Sequence, residues 1–231
     1  GMLAAQKPVE IKLKNGTLKI KGSVDRVDMM KTEDKNFVRV IDYKGKKDFS
    51  LSDVFGGLNM QMLIYLFSIW KNGTDEYADV TPAGVLYMPV GKSSANLDRN
   101  STDESVLKEQ RKNNKMTGII LDDSRVIEGM DTTKSGMIIP VKYKEKDNKF
   151  TGSLIDFSLL ENLYEKIEDN LRNMGDSLHE GKIEAVPIEK ECENCDYRSI
   201  CGFENGDEIR EIPEIDTDDC LEMLKGGEDN A

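Results

Sequence analysis

The chain has 231 residues, 38% hydrophobic and 33% charged, with 32 Lys+Arg against 44 Asp+Glu and a net charge of −12. That length and apolar content suit one packed domain with an appendage and exclude wholesale disorder. No apolar run reaches the ~20 residues that cross a bilayer, and residues 1–20 lack the basic-then-apolar layout of a secretory signal, so a cytoplasmic protein without membrane contact is expected.

In chain order, Lys19–Met30 (KIKGSVDRVDMM) and Phe37–Tyr43 (FVRVIDY) read as two strands of a hairpin joined by the polar stretch 30–36. Ser50 or Ser52 is predicted to cap a helix running to about Lys71 and closed by Asn72-Gly73, with Leu58, Met62, Leu66 and Ile69 on one stripe. Pro82–Pro89 reads as a short strand, and 91–103 as irregular. Ser101 and Glu104 form a capping box for a helix through the basic run Lys108–Lys115. Strands are expected at 118–121 and 137–143. A long helix from about Asp156 to His179 follows, with Leu160, Leu163, Ile167, Leu171, Met174 and Leu178 as its buried stripe and Gly181 as its stop. Early strands, a helix, more strands and a closing helix predict an α/β sheet covered by helices.

The negative charge is concentrated at one end. Residues 204–231 hold eleven acids and two bases, leaving 1–203 with 33 acids and 30 bases. The expected division is a body over 1–203, ending in a Cys-rich segment at 190–203, and an acidic, flexible tail over 204–231. Gly1-Met2 reads as a tag remnant ahead of a piece taken from something longer.

Three constellations can carry chemistry. Asp25 is predicted within a strand, where a carboxylate is costly unless it binds something. Asp42 ends the neighbouring strand, and Lys44, two residues on, shares its side. Two carboxylates and an ammonium at a hairpin end can hold Mg²⁺, which takes one or two carboxylates and keeps waters for a phosphate. An ordinary surface ion pair is the alternative for D-x-K. Gln61 and Tyr65, four apart on a helix, can hydrogen-bond a phosphate or sugar and stack on a base, or simply flank the helix. Cys192-x2-Cys195-x5-Cys201, in a chain without a secretory signal, points to zinc or iron–sulfur ligation rather than disulfides, with Cys220 the only other cysteine. Gly84…Gly91-Lys92-Ser93 has six residues between its glycines rather than the four of a phosphate-binding loop, so nucleotide binding is rejected there. The sole histidine, His179, ends a helix and is read as complementing its dipole.

Gly22-x-x-Asp25-Arg-x-Asp28, Val40-Ile-Asp42-Tyr-Lys44, Gly57-Leu-x-x-Gln61-x-x-x-Tyr65 and the cysteine spacing together resemble the RecB-type (PD-(D/E)XK) nuclease family. The likeness is greatest to the C-terminal nuclease domain of AddB-type subunits of bacterial helicase–nucleases, and Pro82–Tyr87 and Gly118–Asp122 look like further landmarks. The resemblance covers about residues 9–203. It implies a restriction-endonuclease-like mixed central sheet flanked by helices and a Mg²⁺- or Mn²⁺-dependent DNA exonuclease. Such a domain would work with a helicase–nuclease partner subunit in double-strand-break repair and homologous recombination. By the same resemblance, Asp25 and Asp42 are metal ligands and Lys44 stabilises developing charge or orients the attacking water. Gln61 and Tyr65 contact single-stranded DNA, and Cys192, Cys195 and Cys201 are three of four ligands to a [4Fe–4S] cluster. The family's fourth cysteine and a motif histidine lie upstream of this core, and nothing here matches either. An incomplete cluster and weak metal binding are therefore expected of this chain. The competing readings are a non-catalytic DNA-binding or subunit-docking module stapled by a metal, and a stand-alone nuclease of another pathway.

Overall fold

The computed structural model describes residues 9–45, 49–90, 102–188, 192–193, 195–204, 206–212 and 214–226. The glycine-lysine motif at 91–93 and the capping Ser101 lie outside them, as do the side chains of Lys108, Glu109 and Gln110 in the basic helix.

The segment expected as one strand at 19–30 is interrupted. Strand β1 (Val9–Leu13) pairs antiparallel with β2 (Gly16–Ile20) in a separate hairpin, and the chain is irregular through Lys21–Asp25 before β3 (Arg26–Lys31). Asp25 therefore stands just ahead of β3 rather than inside a strand, exposed, and the burial cost that singled it out does not apply. β3 turns back through residues 32–35 into β4 (Asn36–Lys44), with Thr32 N–H and Oγ1 both bonding the carbonyl of Lys35.

The helix predicted over 50–71 is two helices. Strand β4 leads to α1 (Leu51–Phe55), capped by the Ser50 hydroxyl, and then to α2 (Gln61–Asn72). Between them Gly57 and Asn59 take positive φ (80° and 52°), which a helix cannot accommodate and which these two residue types adopt most readily. The interruption re-aims α2, which buries Met62, Leu63, Leu66, Phe67 and Ile69 on the sheet. At ~1.5–3 kcal/mol per buried large apolar side chain, this packing rather than helix propensity fixes α2 in position.

Strand β5 (Val80–Pro89) is longer than the predicted 82–89 and runs parallel to β4. Pro82 has no N–H to donate, and it sits where the register shifts: Val38 faces Pro82 and Arg39 faces Gly84. Helix α3 (Asp103–Asn113), β6 (Thr117–Leu121) and α4 (Ser124–Met130) follow. The strand predicted at 137–143 reduces to β7 (Val141–Lys144), which pairs with β8 (Lys149–Gly152) outside the main sheet. The short β9 (Leu154–Ile155) closes the central sheet in the order β3-β4-β5-β6-β9, whose successive pairs are antiparallel, parallel, antiparallel and parallel. This is a mixed five-stranded sheet packed against helices.

Helix α5 (Phe157–His179) matches the long predicted helix. Leu160, Leu163, Ile167 and Leu171 are buried, but Met174 and Leu178 are exposed. The last turns instead bury Gly175 against Leu13 and Asp176, which accepts the Lys14 N–H at 2.9 Å. One core layer lies between the sheet and α1, α2 and α5, while the other lies beneath α4 and the β7–β8 hairpin. Part of the acidic segment is ordered: α6 (Thr217–Lys225) inserts Cys220 and Leu224 into the first of these layers.

Candidate active site

The antiparallel register pairs Arg26 with Ile41 and Val27 with Val40. Asp25 directly precedes this ladder and Asp42 directly follows its last paired residue, Ile41, so both carboxylates stand at the same end of the hairpin. The Tyr43 N–H makes a long bond to Oδ2 of Asp25, 3.5 Å. Asp42 and Lys44 fall on the same face as the buried Val38 and Val40, the face toward α2.

Oδ2 of Asp42 is buried. Lys44 Nζ lies 2.8 Å from it, an ion pair whose angles fall outside hydrogen-bond geometry, so the oxygen has no hydrogen-bond donor among the described residues. On the next strand Tyr87, the cross-strand partner of Asp42, is 4% exposed on the same face. Burial, reinforced by the negative charges of Asp42 and Asp53, pushes its phenol up to about 12. Asp53, in the first turn of α1, accepts from the Asn59 amide at 2.7 Å, a clasp across the break between α1 and α2.

The outer ridge of α2 meets the segment before Asp25. Gln61 Nε2 donates to the Tyr65 hydroxyl at 2.8 Å. The Tyr65 ring is seated so closely on Gly22 that a Cβ there would come within 2.6 Å of it. Asp25, Asp42 and Lys44 are thus gathered at one strand end, and Gln61 and Tyr65 against the loop that delivers Asp25. Sequence reasoning gave no role to Tyr87 or Asp53. The signal for Tyr87 was present in the strand landmark at 82–87, but only the parallel register between β4 and β5 aligns it with Asp42.

For a divalent cation the donor set is apt: two carboxylates at one hairpin end, one with a buried oxygen lacking a donor, are hard oxygen ligands. The cysteines are arranged otherwise. Cys192 is half-buried, Cys195 and Cys201 are exposed on successive turns, and Cys220 is buried in α6. Among the described residues no three His, Cys, Asp or Glu side chains converge as metal ligands. The thiols do not compose the four-ligand cage of an iron–sulfur cluster.

The profile of the PD-(D/E)XK nuclease superfamily matches residues 2–202. The chain is also similar to proteins named as subunits of an ATP-dependent helicase/deoxyribonuclease. It is 30% identical to that of Alkaliphilus oremlandii over 236 residues (96% of this chain, 20% of the relative). It is 34% identical to that of Clostridium novyi over 236 residues (96% and 21%), and 34% identical to that of Acetivibrio thermocellus over 210 residues (85% and 18%). The chain spans about a fifth of the length of these curated relatives. With a family profile matched over most of its residues, and with the strand-end carboxylates and lysine in the motif's order, the chain belongs to the PD-(D/E)XK nuclease superfamily.

Proposed function

We propose that this chain is a Mg²⁺- or Mn²⁺-dependent deoxyribonuclease domain that cleaves DNA phosphodiesters as an exonuclease, within a larger helicase–nuclease that includes a partner subunit. Double-strand-break repair by recombination, in the cytoplasm, is the proposed setting. The observation that carries the reading is the strand-end group: Asp25 and Asp42 at the same end of the β3–β4 ladder, the Asp25 carboxylate reached by the Tyr43 N–H at 3.5 Å, and Lys44 Nζ 2.8 Å from the buried Oδ2 of Asp42. The names of the relatives support the substrate and the partner.

Asp25 and Asp42 would hold the cation. A divalent ion held by these two carboxylates would supply Lewis-acid polarisation of the phosphate and would make the attacking water more acidic. Lys44 brings a positive charge to the same face, suited to the extra negative charge of the pentavalent phosphorus and to orienting the incoming water. Tyr87 stays neutral at physiological pH, its phenol being pushed up to about 12, so it adds no competing charge beside Asp42. The Tyr65 hydroxyl accepts from Gln61 and keeps its own hydrogen to donate to a phosphate or sugar oxygen. The thiols as arranged do not fit a [4Fe–4S] cluster. A cluster on Cys192, Cys195 and Cys201 would require a fourth ligand, and the remaining cysteine, Cys220, is buried in α6.

The test is cleavage of end-labelled single-stranded DNA with Mg²⁺ or Mn²⁺. The expected result is metal-dependent shortening, abolished by EDTA and by Asp42→Asn. DNA bound by both proteins and cut by neither would leave the domain a non-catalytic docking module and overturn the reading.

A further inference from the structure

Tyr43 lies between Asp42 and Lys44, so the pleat sends its ring to the opposite face of β4. There it remains 40% exposed. Arg26 follows Asp25 directly, pairs with Ile41 and shares that face, and its Nη1 reaches the Tyr43 hydroxyl at 3.5 Å. The same guanidinium grips Asp28 as a fork, Nε to Oδ1 at 2.7 Å and Nη2 to Oδ2 at 3.0 Å. Arg39, opposite Asp28, gives Oδ2 two more bonds at 3.0 and 2.8 Å.

Two guanidinium charges therefore share one carboxylate, leaving one positive charge in excess beside a partly exposed aromatic ring. The fork holds Arg26 in a single orientation while 42% of its side chain stays exposed. Of its five N–H groups, three are used in these bonds, and two Nη hydrogens have no partner among the described residues. Both residues are chain neighbours of the strand-end carboxylates, on the other face of the same hairpin end.

A rigid ring with a preset guanidinium beside it suits one kind of ligand. Every nucleobase has a face that stacks on an aromatic ring whatever its sequence, and each phosphate accepts from a planar guanidinium. Only an unpaired base can offer its face, because duplex bases are already stacked on one another.

We propose that Tyr43 and Arg26 form a shelf for one nucleotide of single-stranded DNA, the ring stacking on the base and the guanidinium donating to its phosphate. The inference rests on the nuclease reading for the identity of the strand, but its own binding is read without turnover. The experiment is fluorescence anisotropy of a labelled single-stranded oligonucleotide in EDTA at low salt, using this chain. Tyr43→Ala should weaken binding about fivefold or more, and Tyr43→Phe, which keeps the ring, should stay within about twofold of the parent protein. Moving one abasic position along the oligonucleotide should reveal a single site where the parent protein loses the same factor and Tyr43→Ala loses nothing further. Arg26→Gln should reduce the salt dependence by about one phosphate contact.

Unchanged binding by Tyr43→Ala, equal losses in Tyr43→Phe and Tyr43→Ala, or no sensitive abasic position would each overturn the shelf. Melting curves check that the variants fold, and the abasic scan on the parent protein decides the matter where one does not. Shelf-dependent binding without Mg²⁺-dependent cleavage would keep the shelf and sink the nuclease reading.

Discussion

The end of β3 and β4 and the cysteine segment make an instructive pair. Asp25 and Asp42 are seventeen residues apart in sequence, yet the antiparallel ladder brings them to the same end of the hairpin. Cys192, Cys195 and Cys201 fall within ten residues, yet their thiols do not converge among the described residues. Closeness along the chain fixes little where the backbone only turns, whereas a hydrogen-bonded ladder carries each side chain to a defined side at a defined spacing. Functional geometry in this molecule comes from pairing, and where pairing is absent the residue pattern alone does not build a site.

Substitutions can break this contrast. The largest effect is expected for Asp42→Asn: removing a metal-binding carboxylate should lower cleavage by ~10³-fold, several kcal/mol of barrier, while thermal unfolding shows at most a small loss, because the amide keeps the shape and only the ion pair to the partly exposed Lys44 is lost. Cleavage retained at the parent rate would end the assignment. Gly22→Ala should be next, since its Cβ would lie 2.6 Å from the Tyr65 ring. A cost of ~1–3 kcal/mol and a melting point lower by several degrees are expected, with partial recovery in the Gly22→Ala/Tyr65→Ala double variant.

Tyr87 allows a pH test of the site's electrostatics. Its folded pKa of about 12 lies above the ~10 of an unfolded chain, so its contribution is complete below pH 10 and is lost as pH rises from 10 to 12. The parent protein should lose ~2–3 kcal/mol over that window that Tyr87→Phe does not, as read by denaturant melts at each pH. The smallest effects belong to the cysteine segment. Cys195→Ser, at an exposed turn, should change stability by less than ~0.5 kcal/mol, whereas Cys220→Ser, which buries a hydroxyl in the α6 core, should cost ~1–2 kcal/mol. Equal costs at the two positions would mean that the exposed turn is as tightly packed as the core.

Much of this was legible in the sequence, and the reasons differ by element. Helix α5 announced itself through a long 3.6-residue apolar rhythm, and β4 and β6 through β-branched runs between turn residues. The break between α1 and α2 was concealed because Leu58 and Met62 keep helical spacing across it. Only the backbone preferences of Gly57 and Asn59 hinted at the interruption. The pattern at 19–30 alternates well enough to read as one strand, and nothing in it says that Gly22–Asp25 leaves the ladder. The D-x-K pair was readable because strand parity puts alternate residues on one side. Tyr87 and the sharing of Asp28 between two arginines were not readable, because both depend on which strands become neighbours and in what register. The packing of α6 was obscured by its charge: eleven acids over 204–231 read as solvated, while Cys220 and Leu224 turn inward and Ile215 and Leu221 pack beside them.

The turn at 32–35 has a consequence for interpreting variants. It lies at the opposite end of the hairpin from Asp25 and Asp42, with six cross-strand pairs between, roughly 20 Å at the usual rise per residue. Thr32 and Lys35 act there as the zero mark of a ruler whose far graduation is the hairpin end that carries both acids. A one-residue insertion or deletion at that remote bend, if the strands slide to absorb it, would turn one acid away from the other. Such a protein would keep every motif intact, yet Val27, Met29 and Met30 would change faces along with the acid, so packing and task would fail together, a lesion that scanning the motifs alone would never detect.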